Sequence, residues 1–465
     1  SRYSARIVGN AHVKAKDYMN QNSDTIFAWA TAPGRAGVAV LRISGEAAAA
    51  AYRCLSGKDT LPAPRMAQLA TLRHPSTGDM LDKALCLWFP TPHSFTGEDV
   101  IEIHTHGSHY LMHALPAALS TLANTRWAEP GEFSRRAFAN HKMDLLAAEG
   151  LADVIDAETA QQHSQALRQL HGDMGEQYEQ FRTDIITILA LLEAYLDFPD
   201  EDIPDHVLAD VSARIDALGA AIETSTQDEA IGEKIRDGLS IVIMGPPNAG
   251  KSTLMNKLAK RDVAIVSEQA GTTRDALEVQ LDIAGYAATL IDTAGLRDNT
   301  EAIEAEGIRR ARAKADTADI CLIMVDADTP PTHWDEYIHY TQKPHILIFN
   351  KMDPVSSAPP CPSDFRTLNL SLKSDTNLDS LLAVVRDDVT DIMTRSERPI
   401  ITRARHRESL QHALNHLRNA QPHTRDLELA AEDLRRAALE IAKITGRIDV
   451  DDILDVIFSS FCIGK

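Results

Sequence analysis

The chain has 465 residues, more than one hydrophobic core usually organises, so length alone predicts about two to four domains. Its 44% hydrophobic and 25% charged residues lie in the ordinary globular range, and no window approaches the ~20 uninterrupted apolar residues that cross a bilayer, so no membrane partner is expected. A formal net charge of −20 argues against a broad basic surface for holding nucleic acid nonspecifically, and any RNA contact has to be local or shared with a partner. The five cysteines (Cys54, Cys86, Cys321, Cys361 and Cys462) are scattered without a CxxC pair, which fits a reducing, cytoplasmic compartment better than a disulfide framework.

Residues 1–23 are basic, show no clear period and read as a disordered extension or tag. From Thr25 the stretches TIFAWAT, VAVLRIS, ALCLWF and VIEIHTHG alternate apolar and polar residues and predict four strands of a mixed α/β domain, with a helix from about His109 to Asn124. After the turn-like EPGEF at Glu129 to Phe133, helical periodicity with almost no Gly or Pro runs from Leu145 to about Leu196. DFPDEDIPD (197–205) breaks it, and a second helical run reaches about Arg236. Near Gly238 the pattern changes to strand, Gly-rich loop, helix. IVIMG, LEVQLDI, ATLIDTAG, ICLIMVDA, ILIFNK and TLNLSL then alternate with helical segments, the pattern of a mostly parallel sheet wrapped on both faces. Helical patterning resumes near Thr394. The predicted fold is multidomain α/β plus all-α: a mixed α/β domain at 24–141, a helical bundle domain at 142–237 plus 395–465, and an inserted Ras-like P-loop domain at 238–394.

GPPNAGKS, Gly245 to Ser252, follows an apolar strand and opens a helix, as a phosphate loop requires. Its glycines let backbone N–H groups close around phosphates, and the helix N-terminus adds a favourable dipole. Asn248, Ala249, Gly250, Lys251, Ser252 and Thr253 are the phosphate-binding candidates, with Lys251 reaching the β- and γ-phosphates and the Ser252 hydroxyl a ligand for Mg²⁺. NKMD at the end of strand ILIF supplies Asn350, Lys351 and Asp353, and Asp353 can accept from guanine N1–H and the exocyclic amine, which adenine cannot supply. That selects GTP over ATP. Ser371, Leu372 and Lys373 occupy the place of the last guanine-contacting loop, with Leu372 where a small residue is usual.

DTAG ends a strand and resembles a second switch, giving Asp292, Thr293, Ala294 and Gly295 as nucleotide contacts, with Asp292 acting on Mg²⁺ through water and the Gly295 amide facing the γ-phosphate. GTTRD upstream supplies Thr273 as the second Mg²⁺ ligand, from the first switch. Loss of the γ-phosphate would release both loops. Leu296 stands where small regulatory GTPases place the Gln that orients the attacking water, so another group has to organise that water.

The phosphate loop with Asn248, GTTRD, DTAGLR, APGRAGVAVLRISG, FTGEDVIEIHTHG, EPGEFSRRAFANHKMDL and the terminal FCIGK together resemble the MnmE (TrmE) family of tRNA-uridine-modification GTPases, of the TrmE-Era-EngA-like class, from Asp24 to Lys465. The resemblance implies a K⁺-dependent GTPase and a homodimer whose G domains approach during hydrolysis. Asn248, Ser267, Gln269 and Thr272 match the family's K⁺ site, Ser267 and Thr272 also touch nucleotide, and Glu304 matches the glutamate that orients the water. By the same resemblance the N-terminal domain binds 5-formyl-tetrahydrofolate or a related one-carbon folate, through positions matching Arg42, Glu102, Lys142 and Lys465. Arg and Lys suit folate carboxylates, and a carboxylate suits the pterin's amino-pyrimidine edge. Cys462 matches a terminal cysteine with a suspected catalytic role, although a lone cysteine in an apolar run is more often packing.

The implied function is GTP hydrolysis coupled to C5 modification of the wobble uridine of certain tRNAs, aminomethyl or carboxymethylaminomethyl. It is carried out with a flavin- and NADH-dependent MnmG (GidA) partner in a heterotetramer. Two rivals are a ribosome-assembly checkpoint GTPase without covalent chemistry, for which a basic RNA-binding appendage is expected, and a folate-binding scaffold with a silent nucleotide site. The charge of −20 counts against the first, and intact Lys251, Ser252, Asp292 and Glu304 count against the second.

Overall fold

A computed structural model describes residues 24–197, 206–227, 229–261, 263–265, 278–292, 313–353, 355, 357–394, 400–422, 426–448, 454, 457–459, 461 and 464. These fall into two compact units, one of residues 1–152, 169–215 and 415–465, the other of 153–168 and 216–414.

The first unit is built on a six-stranded sheet of β1 (Thr25–Trp29), β2 (Ala36–Ser44), β3 (Gln68–Arg73), β4 (Met80–Phe89), β5 (Val100–Gly107) and β6 (Thr125–Trp127). The spatial order is β3-β4-β5-β2-β1-β6; neighbours run antiparallel except β1 and β6. Alternation along the strands sorts the faces. Leu41, Ile43, Ile101 and Ile103 join Tyr52 and Leu55 of α1 (Ala48–Ser56) and Leu115 of α2 (His109–Leu119) in a buried core. The intervening Arg42 and Glu102 are register partners that lie only partly buried.

Two expectations need correction here. The domain has β3 and β6 in addition to the four strands read from the sequence, and α2 stops at Leu119 instead of Asn124. Thr125 Oγ1 lies 2.6 and 3.0 Å from the carbonyl oxygens of Leu119, the last helical residue, and Leu122, so its one proton serves the acceptors left open at the helix end, and Asn124 takes the left-handed conformation at φ 59°.

Left-handed Gly131, φ 67°, leads into α3 (Glu132–Ala139). Glu132, 4% exposed, is held by Arg126 at 2.7 Å and Arg136 at 2.9 Å, and Arg136 continues to Glu98 at 3.2 Å. Burial alone raises the Glu132 pKa. Hydrogen bonds from Arg126 and the Glu129 amide, with the charge of Arg136, outweigh it and leave the carboxyl below its ordinary value.

The chain then passes through α4 (Leu145–Asp156), α5 (Ala160–His171), α6 (Asp173–Asp197), α7 (His206–Gln227) and α8 (Glu229–Asp237). The second unit's sheet comprises β7 (Leu239–Met244), β8 (Glu278–Ile283), β9 (Tyr286–Asp292), β10 (Ile320–Asp326), β11 (His345–Asn350) and β12 (Thr367–Asn369), in the order β12-β11-β10-β7-β9-β8. All pairs are parallel except the β8–β9 hairpin. β10 is almost wholly buried, which explains its unbroken apolar run. α9 (Lys251–Leu258) and α10 (Leu378–Met393) pack through Leu254, Leu258, Leu381 and Val385 on a core with Ile241, Leu322 and Ile348. Val242, Ile323, Leu347 and Phe349 form a separate core on the opposite side.

α11 (Ala404–Asn419) and α12 (Leu427–Ile444) follow α10 in the chain. Within the first unit α12 packs along α6, whose buried Tyr178, Phe181, Ile185, Ile188 and Leu192 recur at spacings of three and four. Among the described residues no helix is long and apolar enough to cross a membrane.

Candidate nucleotide site

β7 has β10 on one side and β9 on the other; the chain leaves β7 toward β8 at the β9 edge and leaves β9 toward β10 on the other side of β7, so connections from these neighbouring strands run in opposite directions, the place where open α/β sheets bind ligands. Gly245, Asn248 and Gly250 all have positive φ, at 137°, 62° and 105°, which curls the loop back over the start of α9. A Cβ on Gly245 would lie 2.0 Å from the Met324 carbonyl oxygen, so the loop passes β10 closer than any side chain permits.

Lys251, 4% exposed, folds back within the loop and donates to the carbonyls of Gly245 and Pro246 at 2.8 and 2.7 Å. Both acceptors are neutral, so an incoming phosphate oxygen offers the ammonium a stronger partner at the same place. Ser252 donates to Asp292 Oδ2 at 2.8 Å, bringing the first residues of α9 onto the carboxyl end of β9.

On the other side of the pocket Asn350, 2% exposed, donates its side-chain amide to the Ala249 carbonyl at 2.8 Å and accepts from the Leu372 amide at 3.2 Å. Lys351, left-handed at φ 61°, pairs with Asp326 at 2.7 Å. Asp353 is exposed, and Ser371 Oγ lies 2.7 Å from each of its carboxylate oxygens. The Ser371 hydroxyl, helped by Ser374 and the nearby charge of Lys373, holds the Asp353 carboxyl below the ordinary aspartate range against slight desolvation. Together these groups border a cavity of about 1050 Å³ lined by Asn248, Lys251, Ser252, Thr253, Asp353 and Lys373 among others. Leu372, in place of the usual small residue, is buried beside Gly250 and leaves its backbone amide in the Asn350 contact.

In the first unit the Arg42 guanidinium contacts Glu102 Oε1 at 2.9 Å and faces the rings of Phe95 and Phe133 at 5.1 and 5.7 Å. Gly97 lies against Lys142, whose Cε would sit 3.2 Å from an added Cβ, and Asn140 donates to the Thr96 carbonyl at 2.7 Å. The loop 94–98 thus touches both Arg42 and the Lys142 turn. Phe95 and Phe133 were absent from the sequence-derived set, although both lie inside its quoted motifs, FTGEDV and EPGEF. Gly464 approaches β1 so closely that a Cβ would lie 2.1 Å from the Trp29 carbonyl oxygen.

The structure therefore brings together Asn248, Ala249, Gly250, Lys251, Ser252, Thr253, Asp292, Asn350, Lys351, Asp353, Ser371, Leu372 and Lys373 around one crevice, and Arg42 with Glu102 at another place. Ser267, Gln269, Thr272, Thr273, Thr293, Ala294, Gly295, Glu304, Cys462 and Lys465 lie outside the described residues. Asp326 and Ser374, partners of Lys351 and Asp353, were not singled out from the sequence because ordinary acids and serines in loops carry no signal of their own.

A glycine-rich loop at the switch point of a mostly parallel sheet, with a carboxylate at a neighbouring strand end and an Asn-Lys-x-Asp segment opposite, defines a P-loop GTPase. A family profile described as "GTP-binding protein TrmE N-terminus" matches residues 25–142, and one described as "MnmE helical domain" matches 145–462. The chain is 47% identical to the "tRNA modification GTPase MnmE" of Parvibaculum lavamentivorans over 95% of its own length and 100% of the relative's. It is 46% identical to that of Paramagnetospirillum magneticum, with 95% and 100% covered. The chain belongs to the tRNA modification GTPase MnmE family and is a GTP hydrolase of tRNA modification. A solved structure of Aquifex aeolicus Era bound to GDP·AlF4⁻ is 26% identical and covers 32% of this chain and 56% of its own at a TM-score of 0.24, too low to add to the geometry above.

Proposed function

We propose that this chain hydrolyses GTP with the help of K⁺ and Mg²⁺ and that hydrolysis drives C5 modification of the wobble uridine of tRNA. The modification is an aminomethyl or carboxymethylaminomethyl addition, made with a flavin- and NADH-dependent MnmG (GidA) partner and a one-carbon folate. The observation that carries the reading is the 2.8 Å contact from Ser252 to Asp292, which ties the phosphate-loop helix to the strand end that leads into DTAG. A γ-phosphate and its Mg²⁺ bound at this point would engage the strand end that leads into the second switch, and their loss on hydrolysis would let that segment go.

Ser252 and Asp292 offer hard oxygen donors side by side, the donor set Mg²⁺ takes, with Thr273 as a further ligand from the first switch. Asn248 offers a neutral amide oxygen on the exposed side of the loop, suited to K⁺, with Ser267, Gln269 and Thr272 as further ligands. Positive charge bound there stabilises charge developing on the phosphates, the part an arginine finger takes elsewhere. Glu304 is the group assigned to orient the attacking water. Asp353 reads guanine, and Lys251 moves from the loop carbonyls to the β- and γ-phosphates.

For folate, the fit rests on Arg42 and Glu102 as cross-strand neighbours beside two aromatic rings. A flat pterin ring suits such a surface, and Lys142 supplies a cation for the glutamate tail. Bound folate supplies the one-carbon unit. Gly464 lies against Trp29, which with Ala28 forms the β1 neighbours of Leu41 and Arg42; Lys465 is assigned to the folate set by the family resemblance alone. Cys462 takes part in that chemistry, and the chain acts as a cytoplasmic homodimer of three domains, 24–141, 142–237 plus 395–465, and 238–394.

The test is reconstitution of the full chain with its flavoprotein partner, tRNA, GTP, KCl and folate, followed by nucleoside mass spectrometry. Product that needs both GTP and folate supports the proposal. Wobble modification that proceeds equally without folate contradicts it.

A further inference from the structure

Both oxygens of the exposed Asp353 carboxylate lie 2.7 Å from Ser371 Oγ, yet one hydroxyl carries one proton and cannot fully satisfy both. Ser374 adds a second hydroxyl. Its Oγ lies 3.1 Å from Asp353 Oδ1, 2.9 Å from Ser371 Oγ and 2.8 Å from Thr376 Oγ1. The loop closes on itself through Ser371 N donating to the Thr376 carbonyl at 3.2 Å and Ser374 N donating to Ser371 Oγ at 3.3 Å. It is also anchored from outside: Lys257 of α9 pairs with Asp375, and Asn377 donates to the Asn369 carbonyl at 2.9 Å.

The last torsion of an aspartate is broad, so an exposed carboxylate ordinarily samples many orientations. Guanine presents N1–H and an exocyclic amine side by side, and accepting both requires the carboxylate to lie in the plane of the base. A base with N1–H alone makes no such demand. Fixing the torsion before the base arrives removes an ordering cost and favours the base that makes two bonds. A carboxylate has lone pairs enough to keep its hydroxyl partners while accepting the base.

We propose that Ser374, backed by Thr376, is a positioning residue for guanine specificity, holding Asp353 so that both its oxygens meet the base edge. This rests on the reading of Asp353 as the guanine-reading carboxylate. The experiment is equilibrium binding of GDP, IDP and XDP to the full chain and to its Ser374→Ala, Ser374→Thr, Thr376→Val and Asp353→Asn variants; IDP keeps N1–H and lacks the amine. Ser374→Ala is expected to weaken GDP by about three- to tenfold, the range for one hydrogen bond, and IDP by less, so that the GDP-over-IDP preference shrinks by about threefold. Ser374→Thr restores the preference, and Thr376→Val lowers it by a smaller factor. Equal losses for GDP and IDP, or no loss, overturn the role of Ser374. Asp353→Asn is expected to turn the preference from GDP to XDP. If it does so while the Ser374→Ala ratio stands unmoved, Ser374 alone is overturned; if it does not, the reading of Asp353 falls and the positioning role with it.

Discussion

Asn350, at the end of β11, donates its side-chain amide to the carbonyl of Ala249 in the phosphate loop at 2.8 Å, and its side-chain oxygen accepts from the Leu372 amide. One buried side chain thus sets the distance between the part of the pocket built for phosphate and the part built for the base. Asn350→Ala leaves two buried polar groups without this partner, each worth about 1–3 kcal/mol. GDP affinity is expected to fall on the order of tenfold or more by titration calorimetry. A dissociation constant within about twofold of the unaltered chain's would remove Asn350 from this role.

Gly245 has the strictest steric requirement in the phosphate loop. Its φ is 137° and an added Cβ would meet backbone, the Met324 carbonyl oxygen at 2.0 Å, which no rotamer can relieve. Gly245→Ala is expected to lower the melting temperature by about 5 °C or more and to weaken GTP binding along with it. Unchanged melting in differential scanning calorimetry would show that β10 yields at this point.

Glu132 sits almost buried between Arg126 and Arg136, with its carboxyl held below the ordinary value by their net effect. A depressed carboxyl stabilises the fold above its unfolded value, and that contribution disappears as pH falls through the folded value. Glu132→Gln leaves two arginines without their shared anion and is expected to cost about 3 kcal/mol at neutral pH. The cost should shrink below the ordinary glutamate range, around pH 4, as the unaltered chain loses the same charge. A pH-independent difference in urea midpoint would contradict the assignment of this stability to the ionised carboxyl.

Gly464 at φ 106° admits no side chain beside Trp29. Gly464→Ala is expected to unseat the tail from β1 and weaken 5-formyl-tetrahydrofolate binding by about tenfold while GDP binding keeps its affinity. Folate affinity that survives the substitution would separate the tail from the Arg42 and Glu102 set.

The sequence makes the nucleotide sheet legible because its long buried strands end at glycine loops or chemical motifs, and all six strands read there are present. QLATLR and TRW escaped: the first dilutes two leucines with alanine and glutamine, and the second is three residues whose strand character comes from parallel pairing with β1. The end of α2 depended on Thr125 turning back to the Leu119 and Leu122 carbonyls, a side-chain choice periodicity does not encode. The motif residues of the phosphate and base loops were readable from order and spacing. The pairing of Arg42 with Glu102, and the hydroxyls behind Asp353, required strand register and loop closure, which spacing along the chain leaves open.

Cation-assisted hydrolysis at the phosphate loop is measured by GTP turnover in KCl against NaCl at equal ionic strength, with Asn248→Ala alongside. K⁺ is expected to stimulate turnover about tenfold or more, and Asn248→Ala to abolish the stimulation, because a positive charge at that place lowers the barrier as an arginine finger does. Equal rates in the two salts would contradict it and move the search to an arginine or to an activator supplied by a partner.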